Sequence, residues 1–323
     1  MTLDEWKQAR IGLFDRLSNW CGELPARGDL KVEETWRREY ATHTEIKLTY
    51  DGEPGERIPA YLLLPRTDAN PPFPAVFAAH QCACQCDIGK EQVVGKSADW
   101  PDQAYGLELV REGFVVLAPD ANKVGERYDP KLREPWQRAP THPAGQKCCC
   151  CAPGGSWGPI RWKPVYDVMR GVDFLSRHEL VDPSRIGMIG HSLGADTTIW
   201  AMPFDERIRA AAVSGGGLMI YNWSAYGLPY EDVLGLIAPR PYMEVTGAWD
   251  DANWKERAKP TTIDDAFQQK RAALAKARVV YALHGAEERL GCFEFEGGHV
   301  FPKEGRRAAY AWLKRWLVNG PVT

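Results

Sequence analysis

Runs of a single charge are missing from this chain: 40 Lys and Arg stand against 43 Asp and Glu, leaving a net charge of -3. That balance removes the electrostatic case for nucleic acid or an anionic membrane as a partner. Apolar stretches long enough to span a bilayer are missing too. The opening residues, MTLDEWKQAR, carry acids where a secretory leader would be basic. Together these absences predict a soluble, cytoplasmic protein. No internal repeat shows, so nothing points to a solenoid or an array. With 323 residues, 44% apolar and 26% charged, the chain can bury a sizeable core.

What is present alternates in a regular way. Leu3 to Cys21 places apolar residues at helical spacing, predicting a surface helix packed on one face. Glu45 to Tyr50 and Ile58 to Leu64, separated by Asp51-Gly52-Glu53-Pro54-Gly55, read as an antiparallel hairpin. Short apolar runs follow at 75–79, 114–118, 186–189, 210–213, 242–246 and 291–295. Helical stretches lie between or after them, at about 103–112, 165–180, 195–202, 262–276 and 303–317. Such alternation predicts a mostly parallel sheet covered by helices on both faces. We read one α/β domain over residues 1–323, with an N-terminal helical extension over about 1–40. A Pro-, Arg- and Gly-rich lid loop with four cysteines occupies about 121–159.

Two segments match G-x-S-x-G, and their contexts differ. Gly154-Gly155-Ser156-Trp157-Gly158 follows Cys-Ala-Pro and precedes Pro159, so neither a strand nor a helix flanks it. Gly190-His191-Ser192-Leu193-Gly194 follows the apolar run Arg185 to Ile189 and leads into ADTTIW, a strand-turn-helix setting. Only the second raises a serine hydroxyl above a sheet and sets the following N–H groups at a helix start, where negative charge is favoured. Ser192 is the candidate nucleophile.

A serine nucleophile needs a base, and the base an orienting acid. The run Pro241 to Thr246 ends in Gly247-Ala248-Trp249-Asp250-Asp251, which offers Asp250 as the acid, with Asp251 its neighbouring alternative. Phe293 to His299 reads as a strand, a glycine turn and a histidine, which makes His299 the candidate base. The order Ser, Asp, His is that of doubly wound hydrolases. An oxyanion hole would take the N–H of Leu193 and a second one from the loop at His80-Gln81-Cys82, with Cys82 the first choice and Gln81 the alternative. Gln81, Trp157, Trp223 and Trp249 are candidate pocket residues.

These residues resemble the α/β-hydrolase fold, and within it the dienelactone-hydrolase-like and acetylxylan-esterase-like branch. IPAYLLLP, PAVFAAHQ followed by DIGKE, GFVVLAPD with GER, DPSRIGMIGHSLG, APRPYMEVTGAWD and EGGHVFP carry the resemblance, over about Ile58 to Pro302. It implies hydrolysis of a carboxylic ester, small or sugar-linked, through an acyl-serine, with no cofactor required. Two alternatives stay open. One is a peptidase of the prolyl-oligopeptidase type, which shares the triad, although no propeller domain is visible. The other is a thiol-rich metal-binding or redox protein on a hydrolase scaffold. Of nine cysteines, seven fall in two knots, Cys82, Cys84 and Cys86, then Cys148, Cys149, Cys150 and Cys151. They are candidates for a soft metal, for a disulfide staple, or for thiols packing the entrance.

Overall fold

In the computed structural model the described residues are 1–82, 87–128, 162–216, 228–250 and 260–320. Helix α1 (Leu3–Cys21) opens on a reciprocal cap: Thr2 Oγ1 accepts the Glu5 N–H at 3.2 Å and Glu5 Oε2 accepts that of Thr2 at 2.7 Å. Its buried stripe is Trp6, Leu13, Leu17 and Cys21, while Ile11 remains exposed.

Nine strands form one sheet: β1 (Glu33–Glu39), β2 (His43–Asp51), β3 (Arg57–Pro65), β4 (Phe73–Ala79), β5 (Val115–Pro119), β6 (Val181–His191), β7 (Ile208–Ser214), β8 (Tyr242–Gly247) and β9 (Leu290–Phe295). Their spatial order is β1-β2-β3-β5-β4-β6-β7-β8-β9. The pairs β1–β2, β2–β3 and β3–β5 are antiparallel and the remaining five are parallel. The helices after α1 are α2 (Tyr105–Arg111), α3 (Trp162–Arg177), α4 (Leu193–Ala201), α5 (Tyr230–Ile237), α6 (Ile263–Leu283) and α7 (Lys303–Leu317).

Strand alternation divides the apolar residues between two layers. Ala75, Phe77, Leu117, Met188 and Val213 face the layer shared by α1, α3, α4, α5 and α6. Val76, Ala78, Val116, Ile189 and Ala212 face the one covered by α2 and α7. Both faces of the central strands are therefore dry, which is why those strands read as unbroken apolar runs.

One correction concerns the N-terminal extension expected over 1–40. It contains strand β1, whose residues EETWRRE are mostly exposed at the sheet edge. A strand wet on both sides has no apolar alternation to betray it. Trp36 anchors it against Tyr61 at 5.8 Å, with Arg38 4.6 Å above the Trp36 ring. Helix α5 is a second element absent from the sequence reading. Of the lid over 121–159, residues 121–128 are described and include a turn of 3-10 helix at Gly125–Arg127; the rest lies outside the described residues. No described helix is long and apolar enough to cross a membrane.

Candidate active site

Strand β6 delivers Ser192 onto a sharp turn into α4. Its φ of 54° and ψ of -116° lie where an L residue is strained. The flanking glycines are required by close approach. A Cβ on Gly190 would stand 2.3 Å from the carbonyl of Gly194, and one on Gly194 would stand 2.0 Å from the carbonyl oxygen of Ala79 on β4. Only hydrogen fits at either position, so α4 can start against β4. The Ser192 N–H donates to the Ser214 carbonyl on β7 at 2.8 Å, fixing the turn from its other side. Trp20 of α1 stacks on Trp200 of α4, with centroids 4.0 Å apart, and so ties the N-terminal helix to the helix behind the serine.

The ends of β8 and β9, which are neighbours in the sheet, lead to the candidate acid and the candidate base. His299 Nδ1 lies 3.0 Å from both carboxylate oxygens of Asp250, across 49 residues of sequence. Asp250 is 1% exposed, whereas the His299 side chain keeps 27% of its surface open. The two turns are laced together: Ala248 N–H donates to Phe295 O at 2.9 Å and Trp249 N–H to Gly297 O at 2.7 Å. With Nδ1–H facing the carboxylate, Nε2 is the nitrogen whose lone pair can accept a proton. Asp251, the sequence alternative for the acid, lies outside the described residues.

His191, inside the elbow, backs the base. Its ring is buried, tilted against that of His299 with centroids 4.8 Å apart, and its Nδ1 lies 3.0 Å from the Ser214 carbonyl. Burial, aided by repulsion from His299, pushes its pKa down to about 3, so it is neutral at ordinary pH.

On the opposite rim, Leu193 begins α4 with its N–H in the first turn, where no intrahelical acceptor exists. Cys82 packs with Leu193 and Val124 in a small apolar cluster, so the loop after β4 does reach the start of α4. Phe77 and Leu117 are parallel partners, which puts the loops leaving β4 and β5 side by side. His80 joins those loops. Its Nδ1–H donates to Gln81 O at 2.6 Å and its Nε2 accepts the Ala121 N–H at 2.9 Å, an arrangement that needs a neutral ring. Burial lowers its pKa accordingly. Leu193 and His80 also line a shallow cleft open to solvent, with Phe77, Pro119, Val168 and the carboxylates of Asp120 and Asp167.

A buried ion pair fixes both loops from beneath, and sequence reasoning missed it. Lys90 and Asp120 have no exposed side-chain surface. Asp120 accepts from Lys90 Nζ at 2.6 Å and from the N–H groups of Lys90 and Glu126 at 2.9 and 3.0 Å. Burial opposes the Lys90 charge, but Asp120, Glu91 and Glu126 outweigh it and raise the pKa. A Cβ on Gly89 or Gly125 would fall 2.1 Å from Asp120 Oδ1, which accounts for the glycines in DIGKE and VGER. The signal lay in those segments, but it became legible only through contacts.

The other sequence candidates divide plainly. The geometry gathers His299 with Asp250, and Leu193 with Cys82. Gln81 is buried with its carbonyl turned to His80, and Trp249 sits half-buried in the acid turn. Trp157, Trp223, Ser156, Cys84, Cys86, Cys148, Cys149, Cys150 and Cys151 lie outside the described residues.

A nine-stranded, mostly parallel sheet with a strained serine after a central strand, and a carboxylate and a histidine after later ones, defines the architecture: this is the α/β-hydrolase fold. The comparisons agree. A profile of the Prolyl oligopeptidase family matches residues 160–277, which hold the elbow, β7 and β8. A Bacillus subtilis (strain 168) protein named as a hydrolase, YtaP, is 26% identical over 320 residues, spanning 94% of this chain and 98% of the relative. Among solved structures, a glucuronoyl esterase from Solibacter usitatus superposes with a TM-score of 0.66 at 15% identity, over 97% of this chain and 93% of that one. An acetyl xylan esterase from Paenibacillus sp. R4 superposes with a TM-score of 0.56 at 14% identity, over 95% and 94%.

Proposed function

We propose that the protein is a serine ester hydrolase acting on a small or sugar-linked carboxylic ester. One observation carries the reading: a buried carboxylate holds the Nδ1 side of His299, in a sheet whose central strand presents a strained serine. Ser192 Oγ attacks the ester carbonyl while His299 Nε2 takes its proton. Asp250 fixes the tautomer and offsets the imidazolium charge. The oxyanion forms against the N–H groups of Leu193 and Cys82, at a helix start that favours negative charge. Collapse expels the alcohol, which takes the proton back from His299, and water repeats the sequence on the acyl-serine. No cofactor enters these steps.

The substrate class rests on two supports. The cleft beside Leu193 has a mainly apolar exposed wall, although the largely buried Asp120 and Asp167 also line it, and that suits a group carrying no negative charge. The solved neighbours include proteins named as glucuronoyl and acetyl xylan esterases, both acting on esters of sugars by name. We expect Ser192→Ala to abolish turnover of p-nitrophenyl acetate and labelling by a fluorophosphonate, while Ser156→Ala retains both. Equal activity of the two variants ends the proposal. The family profile keeps a second reading, a peptidase using the same residues. A chromogenic peptide amide cleaved faster than the ester panel would favour it.

A further inference from the structure

Behind the proposed base lies a group of buried charges that the mechanism does not use. Lys270 on α6 and Glu244 on β8 are 4% and 2% exposed, and their charged atoms stand 2.5 Å apart. Desolvating two ions costs several kcal/mol each, so a pair placed here is poorly explained as a source of stability. Its contacts suggest another purpose. Lys270 Nζ also donates to the carbonyl of Gly216 at 3.1 Å. Glu244 Oε1 accepts from Tyr242 OH at 3.0 Å, and Tyr230 OH lies 3.2 Å from that hydroxyl. The ammonium sits 5.1 Å from the Tyr230 ring centroid.

Gly216 belongs to the turn that leaves β7, and that turn touches the candidate machinery on two sides. Gly215 has φ of 62°, and a Cβ there would meet the ring of His299 at 3.0 Å and that of His191 at 2.9 Å. A Cβ on Gly216 would meet the Ala195 Cβ at 2.4 Å, in the first turn of the helix that follows Ser192. The turn is thus a wedge between the histidine and the nucleophile helix. Gly215 N–H donates to Val245 O at 3.3 Å, and the ammonium takes hold one residue further on.

We propose that Lys270 and Glu244 are positioning residues for His299, acting through the Gly215–Gly216 turn that separates its ring from the nucleophile helix. The proposal rests on the reading of His299 as the base. Glu244 orients the ammonium, the ammonium fastens the Gly216 carbonyl, and the turn limits how far the imidazole can swing from Ser192. Neither side chain touches substrate.

The test compares wild type with the neutral pair Lys270→Met/Glu244→Gln, in which the Gln carbonyl can still accept from Tyr242 and no lone charge remains buried. Ester turnover is normalised to sites titrated by a fluorophosphonate. We expect kcat per titrated site to fall about 10- to 100-fold with KM little changed, the effect of a small misplacement of a catalytic group. We also expect the acidic limb of the kcat/KM profile to move, because Asp250 from the β8 turn and His191 from β6 both face the ring and its setting between them changes. Lys270→Arg should recover part of the rate. A merely structural pair would lower Tm while leaving kcat per titrated site and the pH limb as in wild type, and that result overturns the proposal. Should the neutral pair not fold, Glu244→Gln alone, which takes the orienting carboxylate from the ammonium, carries the test: wild-type kcat per titrated site and an unmoved limb in that variant overturn the proposal equally. Wild type that takes no label at Ser192 defeats the hydrolase reading itself, and this inference with it.

Discussion

Replacing Gly194 by alanine is the sharpest perturbation the geometry offers. The added Cβ would lie 2.0 Å from Ala79 O, 2.7 Å from Ala79 C and 3.0 Å from His80 O. All three are backbone atoms of β4 and the loop that follows, so no side chain can rotate away. Since real Cβ atoms do not approach closer than 3.0 Å, α4 and β4 must separate by about 1 Å. Overpacking of this kind costs roughly 1–3 kcal/mol, which at about 2–4 °C per kcal/mol for a large domain lowers Tm by some 2–12 °C. The rate should suffer more. Leu193 rides on the displaced helix and Cys82 on the displaced loop, so the two N–H groups proposed as oxyanion donors move apart, and a 1 Å misplacement can cost about 100-fold. The assay is turnover of p-nitrophenyl acetate beside a thermal melt. Gly12→Ala is the control: this glycine lies inside α1 with nothing within 4 Å, and its replacement should raise stability by roughly 0.5–1 kcal/mol at unchanged turnover. Wild-type kcat and Tm in Gly194→Ala would refute the account of the elbow.

Other perturbations give equally definite expectations. Asp250→Asn should keep the fold and lower kcat by as much as roughly 10⁴-fold, by the precedent of serine-protease triads, because the amide no longer enforces the Nδ1–H tautomer. Lys90→Met should destabilise by about 3–5 kcal/mol in denaturant melts, since it leaves Asp120 buried without its cation. His191 is charged in the unfolded chain below about pH 6.5 but neutral in the fold down to about 3. The unfolded state thus binds the extra proton, and stability is lost as pH is lowered through that window, by about 2 kcal/mol at pH 5. His191→Asn should flatten Tm against pH over that range, and an unchanged slope would remove His191 as its source.

Much of the fold was legible because the central strands are buried on both faces and announce themselves as apolar runs. The predicted runs at 75–79, 186–189 and 242–246 sit inside β4, β6 and β8. Strand β1 escaped because Glu33, Glu34, Arg37, Arg38 and Glu39 are solvated at an edge, where pairing with β2 decides structure and side-chain polarity does not. The position of Ser192 was legible for a steric reason, since glycines two residues to either side leave few other backbones. Asp250 was legible as the first choice of carboxylate for His299, because it closes the glycine turn that follows the apolar run of β8. The buried pairs Lys90–Asp120 and Lys270–Glu244 were invisible for the opposite reason: each partner, read alone, looks like an ordinary surface charge.

The lacing of the β8 and β9 ends carries a consequence for how defects will look. Because the Ala248 and Trp249 amides are bound to the turn that holds His299, acid and base travel as one cassette, while the serine is mounted on different strands. Lesions should therefore fall into two spectroscopic kinds. Those that tilt the cassette as a body would silence the enzyme yet preserve the low-field imidazole proton shared with Asp250. Those that unpick the lacing would erase that resonance along with activity, so a single proton spectrum of an inactive variant would tell which joint had failed.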